Sequence, residues 1–95
     1  MREDERMLIN WPTTRKMMIE QLKRAMKMYG AYKLSNEELM YFVENYMNNF
    51  GHLFFKNDFE IHPSIRKALG KRNSWILACI VERVYQKEFE NIGNY

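Results

Sequence analysis

At 95 residues the chain is long enough for one small domain and too short for a second independent hydrophobic core. Apolar residues make up 46% of the chain and charged residues 28%, which excludes a disordered polar chain and is ordinary for a globular domain. The formal net charge of +3 favours anionic partners only weakly. We therefore expect a single compact helical domain over residues 1–95, with residues 1–10 forming a flexible N-terminal arm.

Cysteine usage and the first residues indicate a cytoplasmic protein. The single cysteine, Cys79, excludes an internal disulfide, the usual stabilising link of small secreted domains. The start MREDERMLINW carries charges where a signal peptide would need an apolar run, and no stretch approaches the roughly 18 apolar residues of a membrane span. We therefore expect a cytoplasmic location and no membrane partner.

Helix-end signals, taken in chain order, predict a mainly α fold with a small bundle of about four helices. Pro12 and Pro63 suit the first turns of the first and third helices, because the first helical N–H has no intrahelical partner. Ser35 and Glu38 form a capping box before the second helix. Asn73 or Ser74 is expected to cap the fourth. The four glycines each follow a helically periodic segment, as helix C-terminal caps do: Gly30, Gly51, Gly70 and Gly93.

The first two predicted helices each carry one apolar face, and these faces should pack together as a hairpin. On the first helix the face consists of Met18, Ile19, Leu22, Ala25, Met26 and Tyr29. On the second it consists of Leu39, Met40, Val43, Tyr46, Met47 and Phe50. Between the second and third helices, the aromatic run HLFFKNDFEIH predicts either a short β-hairpin or an irregular packed loop.

The last helix differs from the others, because its apolar residues cover more than about 200° of its circumference. Such a helix must be covered on several sides, either as the central element of the domain or as a homodimer interface. A buried strand over WILACIV is the competing interpretation, although helical spacing continues through Val84 and Phe89. The thin exposed strip of this helix contains Trp75, Glu82 and Arg83.

A helix-turn-helix around residues 64–84 is one interpretation of the segment ALGKRNSWILACIVERV. Glu82 would repel phosphate, and Lys71 stands where such turns carry an apolar residue. Basic residues also cluster between residues 15 and 33, with six cations and one carboxylate. These cations either complement the acidic second helix within the chain or contact nucleic acid. The nucleic-acid candidates are Lys16, Lys23, Arg24, Lys27, Arg66, Lys67, Lys71, Arg72 and Asn73.

Eight methionines and fourteen aromatic residues exceed what the two apolar faces need, which predicts an exposed surface for a protein partner. The candidates that lie off the predicted buried faces are Met17, Met28, Tyr32, Tyr41 and Phe42.

Enzyme motifs are missing from the sequence: it has no P-loop, dinucleotide fingerprint, nucleophile elbow or His-Glu zinc motif. The spacing of His52, His62 and Cys79 matches no zinc-finger pattern. We therefore predict no catalytic residue, metal or cofactor.

The combined pattern predicts a small non-enzymatic interaction protein, a regulatory, accessory or inhibitory module that docks on a larger protein. A phage or mobile-element origin would suit its size. The alternative is a DNA-binding regulator of transcription or replication.

Overall fold

The computed structural model describes residues 8–57 and 60–93, with side chains as far as residue 87, and it confirms a small, mainly α bundle. In chain order the helices are α1 (Arg15–Gly30), α2 (Asn36–Asn49), α3 (Gly51–Phe54) and α4 (Pro63–Gly93). None of the described helices combines the length and the apolar character that crossing a bilayer would require.

Helix α1 begins later than its proline suggested. Thr14 is the N-cap, and its Oγ1 accepts a hydrogen bond of 3.1 Å from the Met17 N–H, whereas Pro12 lies outside the helix and is buried. The predicted apolar face is confirmed, with four of its residues buried and the other two packed against the core. The buried four are Met18, Leu22, Ala25 and Met26.

The end of α1 is closed by a tyrosine in place of the predicted glycine. Gly30 remains helical, and Tyr32 takes the left-handed conformation with a φ of 60°. The Tyr32 N–H donates to the Tyr29 carbonyl at 3.1 Å, and the Lys33 N–H donates to the Met28 carbonyl at 2.8 Å. This is the Schellman arrangement of a helix end. This backbone conformation destabilises any residue that has a Cβ by about 1 kcal/mol relative to glycine. The chain nevertheless has a tyrosine here, and its side chain is 96% exposed.

Helix α2 begins with the predicted capping box. The Ser35 Oγ accepts from the Glu38 N–H at 3.1 Å, and the Ser35 N–H donates to the Glu38 Oε1 at 2.9 Å. Hydrogen bonds from the Ser35 backbone and hydroxyl hold the pKa of Glu38 below its ordinary value.

The buried face of α2 is rotated relative to the prediction. Phe42, predicted to lie on an exposed protein-binding surface, is only 5% exposed, and its ring centroid lies 4.5 Å from that of Tyr46. Met40, which was assigned to the buried face, is only partly buried. The hydrophobic effect favours this rotation, because the Phe42 ring buries more apolar surface than the Met40 side chain would in the same place.

The described part of the segment between α2 and α4 contains only a minimal version of the predicted β-hairpin, and a helical turn precedes it. A single helical turn, α3, is followed by an antiparallel bridge between Phe55 and Ile61. The His62 N–H donates to the Phe54 carbonyl at 2.9 Å. At the same C-terminal end of α3, the Arg15 Nε donates to the Leu53 carbonyl at 2.9 Å, which fixes this segment to the start of α1.

The third and fourth predicted helices are the two parts of α4, which is broken at one residue. Gly70 has φ 82° and ψ 174°, a backbone region that only glycine adopts readily. We call residues 63–69 the first arm of α4 and residues 71–93 the second arm. Residues 71–74 are already helical, so the predicted turn and the predicted cap at Asn73 or Ser74 are wrong. The competing strand over WILACIV is excluded as well.

The break in α4 is a sharp bend. Eight residues of straight helix would separate positions 66 and 74 by about 12 Å. Instead, the Ser74 Oγ donates to the Arg66 carbonyl at 2.7 Å. The bond links the second arm to a carbonyl near the end of the first arm. A side chain also fixes the start of α4, where the His62 Nδ1 accepts a hydrogen bond of 3.1 Å from the Ser64 N–H.

Both arms of α4 bury one face against the rest of the bundle. The first arm buries Ile65 and Leu69, and the second buries Leu77, Val81 and Val84. Among the described side chains the chain itself covers only one face of the second arm, since Trp75 and Ala78 are exposed and Ile76 and Ile80 are only partly buried. Coverage of the remaining faces by a second copy stays a prediction. Phe89 and Ile92 lie beyond the described side chains.

Residues 8–12, which we call the N-terminal strap, lie across α1 and α2. The Ile9 N–H donates to the Gln21 Oε1 at 3.0 Å, and the Ile9 carbonyl accepts from the Tyr46 hydroxyl. The Asn45 Nδ2 donates to the Asn10 carbonyl at 2.9 Å. Ile9 and Asn10 are therefore hydrogen-bonded to the bundle and Leu8 packs against its core, although all three belong to the predicted flexible arm, whose residues 1–7 lie outside the described part.

We predict that Gly70→Ala destabilises the protein by about 1–3 kcal/mol, because the methyl group has open space around it but the backbone conformation disfavours any Cβ. Urea unfolding gives the free energy. Gly30→Ala is the matched control: Gly30 is helical with no atom within 4 Å of the added carbon, so this change should stabilise by up to about 1 kcal/mol. If Gly70→Ala and Gly30→Ala changed the free energy of unfolding equally, the result would contradict the bend.

We predict that Tyr46→Phe destabilises the protein by about 1–2 kcal/mol, because it removes the hydroxyl that satisfies the Ile9 carbonyl. It should also speed hydrogen exchange of the Ile9 amide. Tyr41→Phe, on the exposed side of the same helix, is the control and should change neither quantity.

Burial raises the pKa of Tyr46 above its ordinary value of 10.0. Above pH 10 the unfolded chain therefore loses this proton before the folded chain does, and the stability of the wild type should fall relative to that of Tyr46→Phe. An unchanged difference in unfolding free energy between pH 9 and 11 would contradict the buried hydroxyl.

Candidate protein-binding groove

The concave side of the bend in α4 forms an open groove of about 920 Å³, which we call the α4 groove. Its lining residues recur every three or four positions along both arms, so they form one continuous face of the bent helix. Glu60 and Ile61 close it from the side of the preceding bridge. The residues from α4 are Pro63, Arg66, Lys67, Gly70, Lys71, Ser74, Trp75, Ala78, Val81, Glu82 and Tyr85.

Apolar side chains occupy the part of the groove along the second arm. Trp75 is 69% exposed, and Ala78, one turn further on, is also exposed. Val81 is buried beneath them and Tyr85 is half-buried. A tryptophan held on a rigid helix with most of its surface in water is the kind of residue that contributes strongly when a partner covers it.

Cations surround the bend at the other end of the groove. Arg66, Lys67 and Lys71 are exposed, and none forms an ion pair with a carboxylate in the part of the chain that the structure describes. The Glu60 carboxylate accepts a hydrogen bond of 3.4 Å from the Asn57 side chain. Glu82 lies at the far end, three turns along the second arm from Lys71. The groove thus has three cations around the bend and two carboxylates, Glu60 beside the first arm and Glu82 on the second arm.

Three of the nine predicted nucleic-acid candidates line this groove: Arg66, Lys67 and Lys71. Arg72 is exposed beside it and Asn73 is half-buried, but neither lines it. The four candidates on α1 are exposed and contribute nothing to the groove: Lys16, Lys23, Arg24 and Lys27. The expected pairing of these lysines with carboxylates of α2 is not observed, since within the described residues Lys16, Lys23 and Lys27 form no ion pair.

The predicted protein-binding candidates lie elsewhere. Tyr32 and Tyr41 are exposed, at 96% and 77%, whereas Met17 and Met28 are half-buried and Phe42 belongs to the core. None of the five lines the groove. Sequence reasoning placed Trp75 on an exposed strip without including it among the candidates. The available signal was a tryptophan between polar neighbours on a helix, because a large apolar side chain on an otherwise polar, exposed strip often marks a binding surface.

The described side chains form no candidate metal site. No three histidine, cysteine, aspartate or glutamate side chains lie close enough together there to hold a metal ion, and so His52, His62 and Cys79 do not form a cluster. In the described part of the chain, the pKa of Glu38 is shifted by its helix cap, and that of Tyr46 is shifted by burial beneath the strap.

Comparison with known proteins gives no relative: no family model matches the chain, and neither the curated proteins nor the solved structures include a significant match. The groove and the charges around it therefore carry the functional argument.

Proposed function

We propose that this chain is a non-enzymatic interaction protein that docks on a larger protein through the α4 groove, in a regulatory, accessory or inhibitory role. The observation that supports this most is Trp75, a large aromatic side chain that is 69% exposed on the apolar part of an open groove. Covering it would remove apolar surface from water, which is the main favourable term in protein association.

The shape of the groove favours a macromolecular partner over a small ligand. Small-molecule sites bury some 70–90% of their ligand in an enclosed cavity. The α4 groove is open along its length, so a small molecule would leave much of its surface in water. A partner that lies along both arms would cover the groove and its rim together.

Three finer features remain part of the proposal. The chain acts in the cytoplasm, which fits its single cysteine. It originates from a phage or mobile element, a suggestion based on its size alone. A homodimer would form through the second arm of α4, whose last side chains lie outside the described part.

We predict that a photo-reactive amino acid at position 75 cross-links a larger protein in extracts of the native cells. The same group at position 32, which is even more exposed than position 75, serves as the control and should give much less product. Ala78→Glu should abolish the product formed from position 75, because it places a charge on the apolar part of the groove without touching the core.

Mass spectrometry of the product identifies the partner. Equal cross-linking from positions 75 and 32, or a product insensitive to Ala78→Glu, would contradict docking through the groove.

DNA binding is a second candidate function, and one observation favours it. Lys16, Lys23 and Lys27 are exposed along α1 and form no ion pair within the described residues. Their spacing of seven and four residues places them along one side of the helix, where they could follow a phosphate backbone. The bend of α4 supports this candidate less, since a helix-turn-helix normally has a turn of three or four residues and the bend has one.

If this second candidate is right, fluorescence anisotropy of a mixed-sequence duplex of about 30 base pairs should show binding that weakens steeply with salt. Three phosphate contacts predict a loss of about 40-fold between roughly 50 and 200 mM salt. Changing Lys16, Lys23 and Lys27 together to alanine should abolish the binding. No binding at the lower salt concentration would exclude this candidate.

A further inference from the structure

We propose that the segment which occupies the α4 groove is an amphipathic helix of the partner protein, with carboxylates at the end that meets the bend. This inference rests on the proposed docking function and specifies the chemistry of the partner. It combines three features of the groove: the helical backbone of its walls, the cations at the bend, and the apolar side chains of the second arm.

The backbone around the groove favours a helical partner over an extended one. The lining residues of α4 are helical apart from Gly70, and the Arg66 carbonyl already accepts from the Ser74 hydroxyl. The α4 side of the groove therefore offers no row of free N–H and C=O groups with which an extended strand could pair. An extended segment on this surface would leave its own polar backbone groups without partners, whereas a helix satisfies them internally.

Charge at the bend favours carboxylates on the partner. Arg66, Lys67 and Lys71 lie within two turns of one another, and no carboxylate of the described chain pairs with them. A carboxylate that approaches them would gain charge-assisted hydrogen bonds at the edge of an apolar surface, where water screens the interaction less than in bulk. Glu82 on the second arm and Glu60 beside the first arm repel anions, so the carboxylates of an acidic helix are favoured only at the bend.

The length of the second arm sets the size of the partner segment. The groove follows this arm from Lys71 to Tyr85, a rise of about 21 Å at 1.5 Å per residue. A partner helix of about 14 residues would span the same distance. Its apolar residues at positions i, i+3, i+4 and i+7 would contact Trp75, Ala78 and Tyr85, while its acidic first turn would lie at the bend.

Nucleic acid fits this groove less well. A phosphate backbone would use the three cations, but it would place charge along an apolar face and bring it close to Glu82. Trp75 and Tyr85 could each stack on one base, but they lie about 15 Å apart along the second arm, and Ala78 and Val81 between them offer no stacking surface.

Synthetic helices test the inference directly. The probe is a fluorescein-labelled 16-residue peptide (roughly the length derived above), built on alanine and glutamine, with a leucine stripe and three glutamates in its first turns. A second peptide has lysines in place of the glutamates, and a third keeps the composition of the first with the stripe scrambled. Anisotropy with the full chain gives the dissociation constants. We expect the glutamate peptide to bind at least about tenfold more tightly than either control.

Charge reversal in the protein provides a matched test. The double variant Lys67→Glu and Lys71→Glu should lose the preference for the glutamate peptide and favour the lysine peptide. Lys16→Glu with Lys23→Glu changes the net charge equally on α1, outside the groove, and should leave the preference intact. Trp75→Ala should raise the dissociation constant of the glutamate peptide by about tenfold.

Each contrary result overturns a stated part. Equal binding of the lysine peptide overturns the acidic partner, and equal binding of the scrambled peptide overturns the helical one. Failure of the glutamate peptide to bind, or its displacement by a single-stranded or duplex oligonucleotide at equimolar concentration, overturns the inference as a whole. The proposed docking function is judged separately by the cross-link from position 75, which does not depend on the charge of any peptide.

Discussion

The backbone conformation of one residue, Gly70, determines the shape of the surface to which we assign a function. With φ at 82° and ψ at 174°, it turns α4 sharply without an intervening loop. The Ser74 hydroxyl then reaches the Arg66 carbonyl and satisfies it, so that the bend leaves that polar group paired. Without the bend the lining residues would form the outer face of a straight helix, and Trp75 and the cations would lie along a convex surface.

The rest of the bundle holds the two arms in place. Ile65 and Leu69 fix the first arm in the core, and Leu77, Val81 and Val84 fix the second, so neither arm can turn without exposing apolar surface. The N-terminal strap contributes further order, because its hydrogen bonds to Gln21, Asn45 and Tyr46 join α1 to α2. A rigid concave surface loses little conformational entropy when a partner binds to it.

Local signals in the sequence were enough to predict the helical class, the apolar face of α1 and the capping box of α2. Those features depend on residues within one or two turns of each other. The rotation of α2 that buries Phe42 depends on its packing with Tyr46 and the core, which periodicity alone does not resolve between neighbouring wheel positions. The left-handed Tyr32 runs against the usual preference for glycine, and so the sequence pointed to Gly30 instead.

The groove was only partly accessible to sequence reasoning. The sequence indicated a basic cluster that includes Arg66, Lys67 and Lys71. The conformation of Gly70 decides whether this cluster lies in a turn or on the concave side of a bent helix. A glycine after a periodic segment indicates a break, and both a capped end with a loop and a single-residue bend satisfy that pattern. Trp75 became a candidate only once the bend placed it on the same surface as the cations.

Nuclear Overhauser contacts across the bend test this account most directly. In a sample labelled with ¹³C and ¹⁵N, we expect contacts between the side chains of Lys67 and Ser74 or Trp75, together with a non-helical ¹³Cα shift at Gly70. Helical contacts between residues i and i+3 should stop at residue 69 and resume after residue 71. An unbroken series of such contacts from residue 63 to residue 80 would show a straight helix, and would contradict both the bend and the groove that depends on it.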